Sequence, residues 1–207
     1  MNRLAVRAAL LGALLFCCCS PLRLRLSIYN GDTVPVNVRI GTEIAQKLEP
    51  GKVLTSLRPM EGQRVEVEGG PSSAGAWKVG EPELPLQADS EPALLIVGSS
   101  APLAAAVLDS ESPAKEGAEK PAGPLAIREV VDLRQTKGYL ALPGYYRVVG
   151  PRDSLPTSLG RGEGVFRLVE LSPATESAAQ VEQEVRERVG AELSEAAKPS
   201  AAKPSAP

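Results

Sequence analysis

The sequence predicts an all-β protein: an antiparallel β-sandwich arranged as two small β units, followed by a C-terminal helix and a disordered tail. Three observations predict it. Residues 22–29 alternate apolar and polar side chains without a break, the signature of a half-buried strand. Turn pairs containing Gly, Pro and Asn recur at short spacing. No amphipathic helix of ten or more residues appears before residue 172, which argues against an α/β enzyme fold. The boundaries read as a lipoprotein-type signal at 1–18, a β-sandwich domain at 20–108 and a linker at 109–124. A second small β unit at 125–171, a helix at 172–197 and a tail at 198–207 complete the chain.

The leader comes first. Arg3 and Arg7 supply positive charge, and Ala8 to Phe16 is an apolar run of nine residues. That is too short for a bilayer, which takes about twenty residues of helix. Cys17, Cys18, Cys19 and Ser20 follow, and the whole reads as a secretory signal. It resembles a bacterial lipoprotein signal, in which a Leu three residues before a Cys marks that Cys for lipid attachment and cleavage. Leu15-Phe16-Cys17-Cys18 matches, so the resemblance makes Cys18 the lipidation site, with Cys17 and Cys19 as alternatives. An ordinary cleaved signal or an uncleaved anchor are the other readings. All three cysteines lie here, so the body from Ser20 onward has no intramolecular disulfide and no thiol nucleophile.

The strands follow in order. Leu22, Leu24, Leu26 and Ile28 share one face, and Arg23, Arg25, Ser27 and Tyr29 the other. Asn30-Gly31-Asp32 is turn chemistry. Val34, Val36, Val38 and Ile40 alternate next, so the pair predicts an antiparallel hairpin, with Pro35 at an edge or at the start of pairing. Further strands are expected at Val53–Leu57, Arg64–Glu68, Ala76–Val79, Leu84–Leu86, Leu94–Val97 and Ala104–Leu108. Residues 109–124 hold no large apolar side chain and read as a linker. Leu125–Leu133, Gly138–Leu142, Tyr145–Val149 and Val165–Leu171 read as four more strands, a thin basis for an independent core. Val181, Val185, Val189 and Leu193 recur every four residues, a narrow helical stripe. The Lys-Pro-Ser-Ala repeat after it is expected to be unstructured.

Composition excludes much chemistry. The 207 residues include 23 basic and 25 acidic side chains and no histidine. Ser-His-Asp and Cys-His catalytic sets and His-ligated zinc are therefore out. A net charge of −2 gives no electrostatic reason to expect nucleic acid. No Asp-x-Asp-x-Asp-Gly run marks a calcium loop. Arg152-Asp153-Ser154-Leu155 resembles the nucleophile block of a family of lipases and esterases, but lacks a His and reads as a turn with a capping Asp. Gly160-Arg161-Gly162-Glu163-Gly164 precedes a strand and not a helix, so it reads as a hairpin turn and not a phosphate cradle.

What remains is contact chemistry. Arg23, Arg25, Arg39 and Arg64 are expected on the outward face of one sheet, a solvated face or a basic patch for an anionic glycan or partner protein. Trp77, Tyr139, Tyr145 and Tyr146 are aromatics that serve core packing or stack on sugars. Tyr145 and Tyr146 are adjacent on a predicted strand and must point to opposite faces, which makes them the best local candidates for a contact surface.

Leu24-Arg25-Leu26-Ser27-Ile28-Tyr29-Asn30, then Val34 to Gly41, then Leu48 to Gly51, resembles the opening of the AlgF-like family of periplasmic alginate O-acetylation accessory proteins. The likeness covers residues 22–70 and follows the rest in outline. It implies a non-enzymatic adaptor for exopolysaccharide O-acetylation, exported and lipid-anchored at the periplasmic side or the cell surface. Its partners would be envelope acyltransferase proteins or an anionic polysaccharide, with no cofactor and no metal. The alternative is a structural or surface-exposed lipoprotein without an acetylation partner.

Overall fold

The continuous apolar run Leu94–Val97 lies between layers, and the alternating runs Val36–Ile40 and Arg64–Glu68 lie on an outside layer. A computed structural model describes residues 23–72, 74–86, 92–98, 101–110, 124–142, 144–156, 159 and 163–197. The leader with Cys17, Cys18 and Cys19, the tail and most of 109–124 lie outside the described residues.

The strands are β1 Arg25–Asn30, β2 Val36–Ile40, β3 Gln46–Leu48, β4 Val53–Leu57, β5 Arg64–Glu68 and β6 Gly75–Lys78. They continue as β7 Pro92–Val97, β8 Leu103–Ser110, β9 Leu125–Asp132, β10 Gly138–Ala141, β11 Tyr146–Val149 and β12 Gly164–Glu170, before helix α1 at Ala178–Ala196. They form three four-stranded sheets: a distal sheet β3-β2-β5-β6, a middle sheet β10-β7-β1-β4 and a helix-side sheet β11-β12-β8-β9. The protein is all-β with one C-terminal helix, sandwich-like and not closed into a barrel.

Three cores separate four layers. Leu26, Ile28, Leu95 and Val97 of the middle sheet pack against Val36, Val38, Val65 and Val67 of the distal sheet. Tyr29, Leu94 and Ile96, on the opposite face, pack against Leu103, Val107, Phe166 and Leu168 of the helix-side sheet. Ala104, Ala106, Val165 and Val169 then meet Val181, Val185 and Val189 of α1. Strands β7 and β12 are therefore buried on both faces, which explains why Leu94–Val97 is apolar at every position. β2, with pattern buried-exposed-buried-exposed-buried, covers the outside. The valine stripe of α1 is the narrow seam its period predicted. Its start is fixed by a capping box, in which Ser177 Oγ accepts from Gln180 N at 3.2 Å and Gln180 Oε1 accepts from Ser177 N at 2.9 Å.

Several expectations are corrected. β1 and β2 do not form a hairpin. β1 pairs with β4 and, in parallel, with β7, whereas β2 pairs with β3 and β5 in another sheet. The reason is Asn30, which is fully buried and locks a crossing between layers. Its Nδ2 donates to Val34 O at 2.9 Å and to Leu48 O at 3.0 Å, and its Oδ1 accepts from Asp32 N at 2.9 Å. A Cβ on Gly31 would sit 2.8 Å from Gly98 O, so this crossing needs glycine. Pro35 does stand just ahead of pairing.

Tyr29 does not face outward with Arg23 and Arg25. The helix-side sheet covers it, and its hydroxyl donates to Glu170 Oε1 at 3.1 Å. Leu84–Leu86 is not a strand: Leu84 plugs the first core from a turn. β3 is three residues long, too short to show a period. β11 and β12 pair in parallel, so no hairpin joins them, and Gly160, Arg161 and Gly162 of the expected turn lie outside the described residues.

Asp109 and Ser110, assigned by composition to a linker, extend β8 and pair with Ala126 and Leu125. Segment 109–124 does not separate two sets of sheets. β10 joins β7 in the middle sheet, and β9 and β12 flank β8. The later strands complete layers begun by the earlier ones, which resolves their thinness as an isolated core.

Candidate anion-contact surface

The register of β1 against β4 creates an unusual charge arrangement. Leu26 stands opposite Leu57, Leu24 N donates to Pro59 O at 3.0 Å, and Arg23 bridges Met60. That continuous antiparallel register sets Arg25 directly opposite Arg58. Like charges directly opposite one another on a sheet are destabilising. Arg23 lies two residues from Arg25 on the same face. Partial burial, then the charges of Arg25 and Arg23, hold the Arg58 guanidinium below its ordinary pKa. Among the described residues, no carboxylate forms an ion pair with any of the three.

The cluster sits where the second core runs out. Arg25 shares its face of β1 with Ser27 and Tyr29, the face the helix-side sheet covers farther along. Tyr145 stands just before β11, whose strand packs beside β4. Tyr145 is 59% exposed, and the Arg25 guanidinium lies 5.2 Å from its ring centroid. The result is a cationic, one-tyrosine surface, open to solvent at Arg23 and Arg58.

Three of the predicted contact residues, Arg23, Arg25 and Tyr145, are thus brought together, and three are not. Tyr146 is half-buried against the second core, with the Arg128 guanidinium 6.0 Å from its ring. Trp77 is half-buried against the first core on the distal sheet. Arg39 is on the distal sheet too, where Glu66 takes its Nη2 at 2.8 Å and Glu68 at 3.4 Å. The expectation that Arg23, Arg25, Arg39 and Arg64 share one sheet is corrected: the first two belong to the middle sheet's end, the last two to the distal sheet. It rested on a β1–β2 pairing that does not form.

Arg58 and Arg167 were missed by sequence reasoning. Arg58 needs the β1–β4 register to be found. Arg167 carried a visible signal, a charge inside the apolar run Val165–Val169. It is 4% exposed and clamps α1 to the loop after β11. Its Nε donates to Glu192 Oε2 at 3.0 Å, its Nη1 to Asp153 O at 2.8 Å and to Gly150 O, and its Nη2 to Pro151 O at 3.3 Å. Asp153 caps the same loop, accepting from Gly150 N at 3.1 Å, and pairs with Lys52 at 2.8 Å. The capping turn expected at Asp153 is present. A cavity of about 270 Å³ adjoins this joint, lined by Arg152, Arg167, Arg188, Glu170 and Glu192. Arg188 there is held by Glu184 and by Glu170 O, each at 2.6 Å, so two of its three cations are already engaged within the fold.

The arginine–tyrosine surface can attract and hold oxyanions. Among the described residues no group of three or more Cys, Asp or Glu side chains could hold a metal ion, and no helix is long and apolar enough to cross a membrane. No protein-family model, curated protein or solved structure matches this chain.

Proposed function

We propose that this chain is a lipid-anchored, non-enzymatic binding module of a bacterial cell envelope, working as an adaptor in exopolysaccharide O-acetylation. The observation that carries the binding role is the Arg25–Arg58 opposition beside exposed Tyr145, an arrangement unfavourable to folding and suited to an anionic occupant. The leader, with its basic start, short apolar run and Cys17-Cys18-Cys19, supports export and anchoring. The assignment to acetylation rests on the likeness of residues 22–70 to the AlgF-like family. Tethering would be the mechanism: the acyl chains hold the module at the membrane, and the module docks an acyltransferase or the polymer.

Two measurements test this reading. The full chain expressed in bacteria should incorporate labelled palmitate, and the Cys17→Ser/Cys18→Ser/Cys19→Ser variant should not. Pull-down of the full chain from detergent-solubilised membranes should recover an envelope acyltransferase or an acetylated polymer. Recovery of neither would remove the acetylation role, and absent labelling would remove the anchor.

A further inference from the structure

The arginine cluster lies next to the point where the folded chain meets its leader. Arg23 is the first described residue, and Cys18 precedes it by five residues, at most about 18 Å of fully extended chain. A lipid attached there would keep Arg23 within about two Debye lengths of the headgroups at physiological salt, with Arg25 two residues farther along the strand and Arg58 opposite it. We infer that this cluster, with Tyr145, is a membrane-facing footprint for anionic phospholipid headgroups that fixes the orientation of the module on its bilayer. The inference rests on the anchored reading above and names what the cationic end binds.

Three features favour headgroups over a glycan. Arg23 and Arg58 are exposed and Arg25 half-buried at a strand end, whereas sugar sites are concave clefts. One face of the Tyr145 ring is already covered by Arg25, which competes with sugar stacking. Tyrosine beside arginine is the composition that settles at a bilayer interface, the ring at headgroup level and the cation on phosphate. The paired Arg39 on the distal sheet serves as an internal control, since Glu66 and Glu68 neutralise it.

The test uses the chain from Ser20 onward, so that binding cannot come from acyl chains. Every core residue lies between Leu24 and Leu193, so this chain keeps all three cores. It should co-sediment with vesicles of phosphatidylcholine plus phosphatidylglycerol and not with vesicles of phosphatidylcholine alone. Arg25→Gln and Arg58→Gln should each weaken binding about fivefold, and Arg39→Gln should leave it unchanged. Unaltered circular dichroism of each variant excludes misfolding as the cause. Equal binding to both vesicle types, or binding insensitive to Arg25→Gln and Arg58→Gln, would overturn the footprint, as would tighter binding to soluble alginate than to anionic vesicles. Palmitate labelling reports on the anchor separately, so loss of labelling with retained vesicle selectivity would remove the anchor and keep the cationic surface.

Discussion

Arg167 and the Arg25–Arg58 pair carry the same guanidinium to opposite ends. Arg167 is buried, and its donors are spent on the Glu192 carboxylate and on the carbonyls of Gly150, Pro151 and Asp153. It welds α1 to the loop whose Asp153 also pairs with Lys52 and accepts from Val53 N at the start of β4. Arg25 and Arg58 stand opposite one another across a sheet, with no carboxylate paired to either among the described residues. A cation that the fold satisfies is part of the architecture. A cation the fold leaves repelled is available to something outside it.

Substitutions can break or sharpen that contrast. The largest effect is expected at Arg167. Arg167→Gln removes a buried cation and leaves Glu192 and three loop carbonyls underused, a loss of about 3 kcal/mol, seen as a fall of roughly 10 °C in the melting temperature. Tyr29→Phe comes next. It removes a partly buried hydrogen bond to Glu170, worth about 1 kcal/mol at neutral pH, read as a lower urea midpoint.

Tyr29 also makes a pH prediction. Burial, reinforced by the Glu170 carboxylate, pushes its hydroxyl well above the ordinary value of 10.0. The folded state therefore holds the phenolic proton more tightly than the unfolded chain does. Its contribution is complete below pH 10 and is lost as the pH rises beyond it. Stability of the wild-type chain should fall more steeply above pH 10 than that of Tyr29→Phe, by equilibrium unfolding across that range.

The smallest effects separate the arginines themselves. Arg58→Gln relieves a cross-strand repulsion and should stabilise by roughly 0.5 kcal/mol, the modest size reflecting solvent screening. Arg25→Gln should gain less, because it also loses the cation–π contact to Tyr145. Arg39→Gln, at an exposed ion pair, should stay within about 0.5 kcal/mol of the wild type.

The same contrast shows what the sequence could and could not reveal. Strict alternation identified β1, β2 and β5, and the continuous run Leu94–Val97 identified a buried strand. Period alone does not choose partners. Asn30 reads as a hairpin turn from its type, and only its buried bonds to Val34 O and Leu48 O reveal a crossing between sheets. The alternation of 22–29 suggested one solvated face along its whole length. Arg23 and Arg25 are near solvent because the covering sheet stops short of them, while Tyr29 lies beneath it. Arg58 carried no sequence signal because its meaning comes from a residue in another strand. Arg23, Arg25 and Tyr145 were legible as candidates from residue type, but their convergence was not.

One measurement tests the distinction between the two kinds of arginine most directly: parallel thermal melts of Arg58→Gln and Arg167→Gln in low-salt buffer. Arg58→Gln should melt about 2 °C above the wild-type chain and Arg167→Gln roughly 10 °C below it. If Arg58→Gln instead melts well below the wild type, Arg58 is satisfied within the fold, and the cationic end is architecture and not a binding surface.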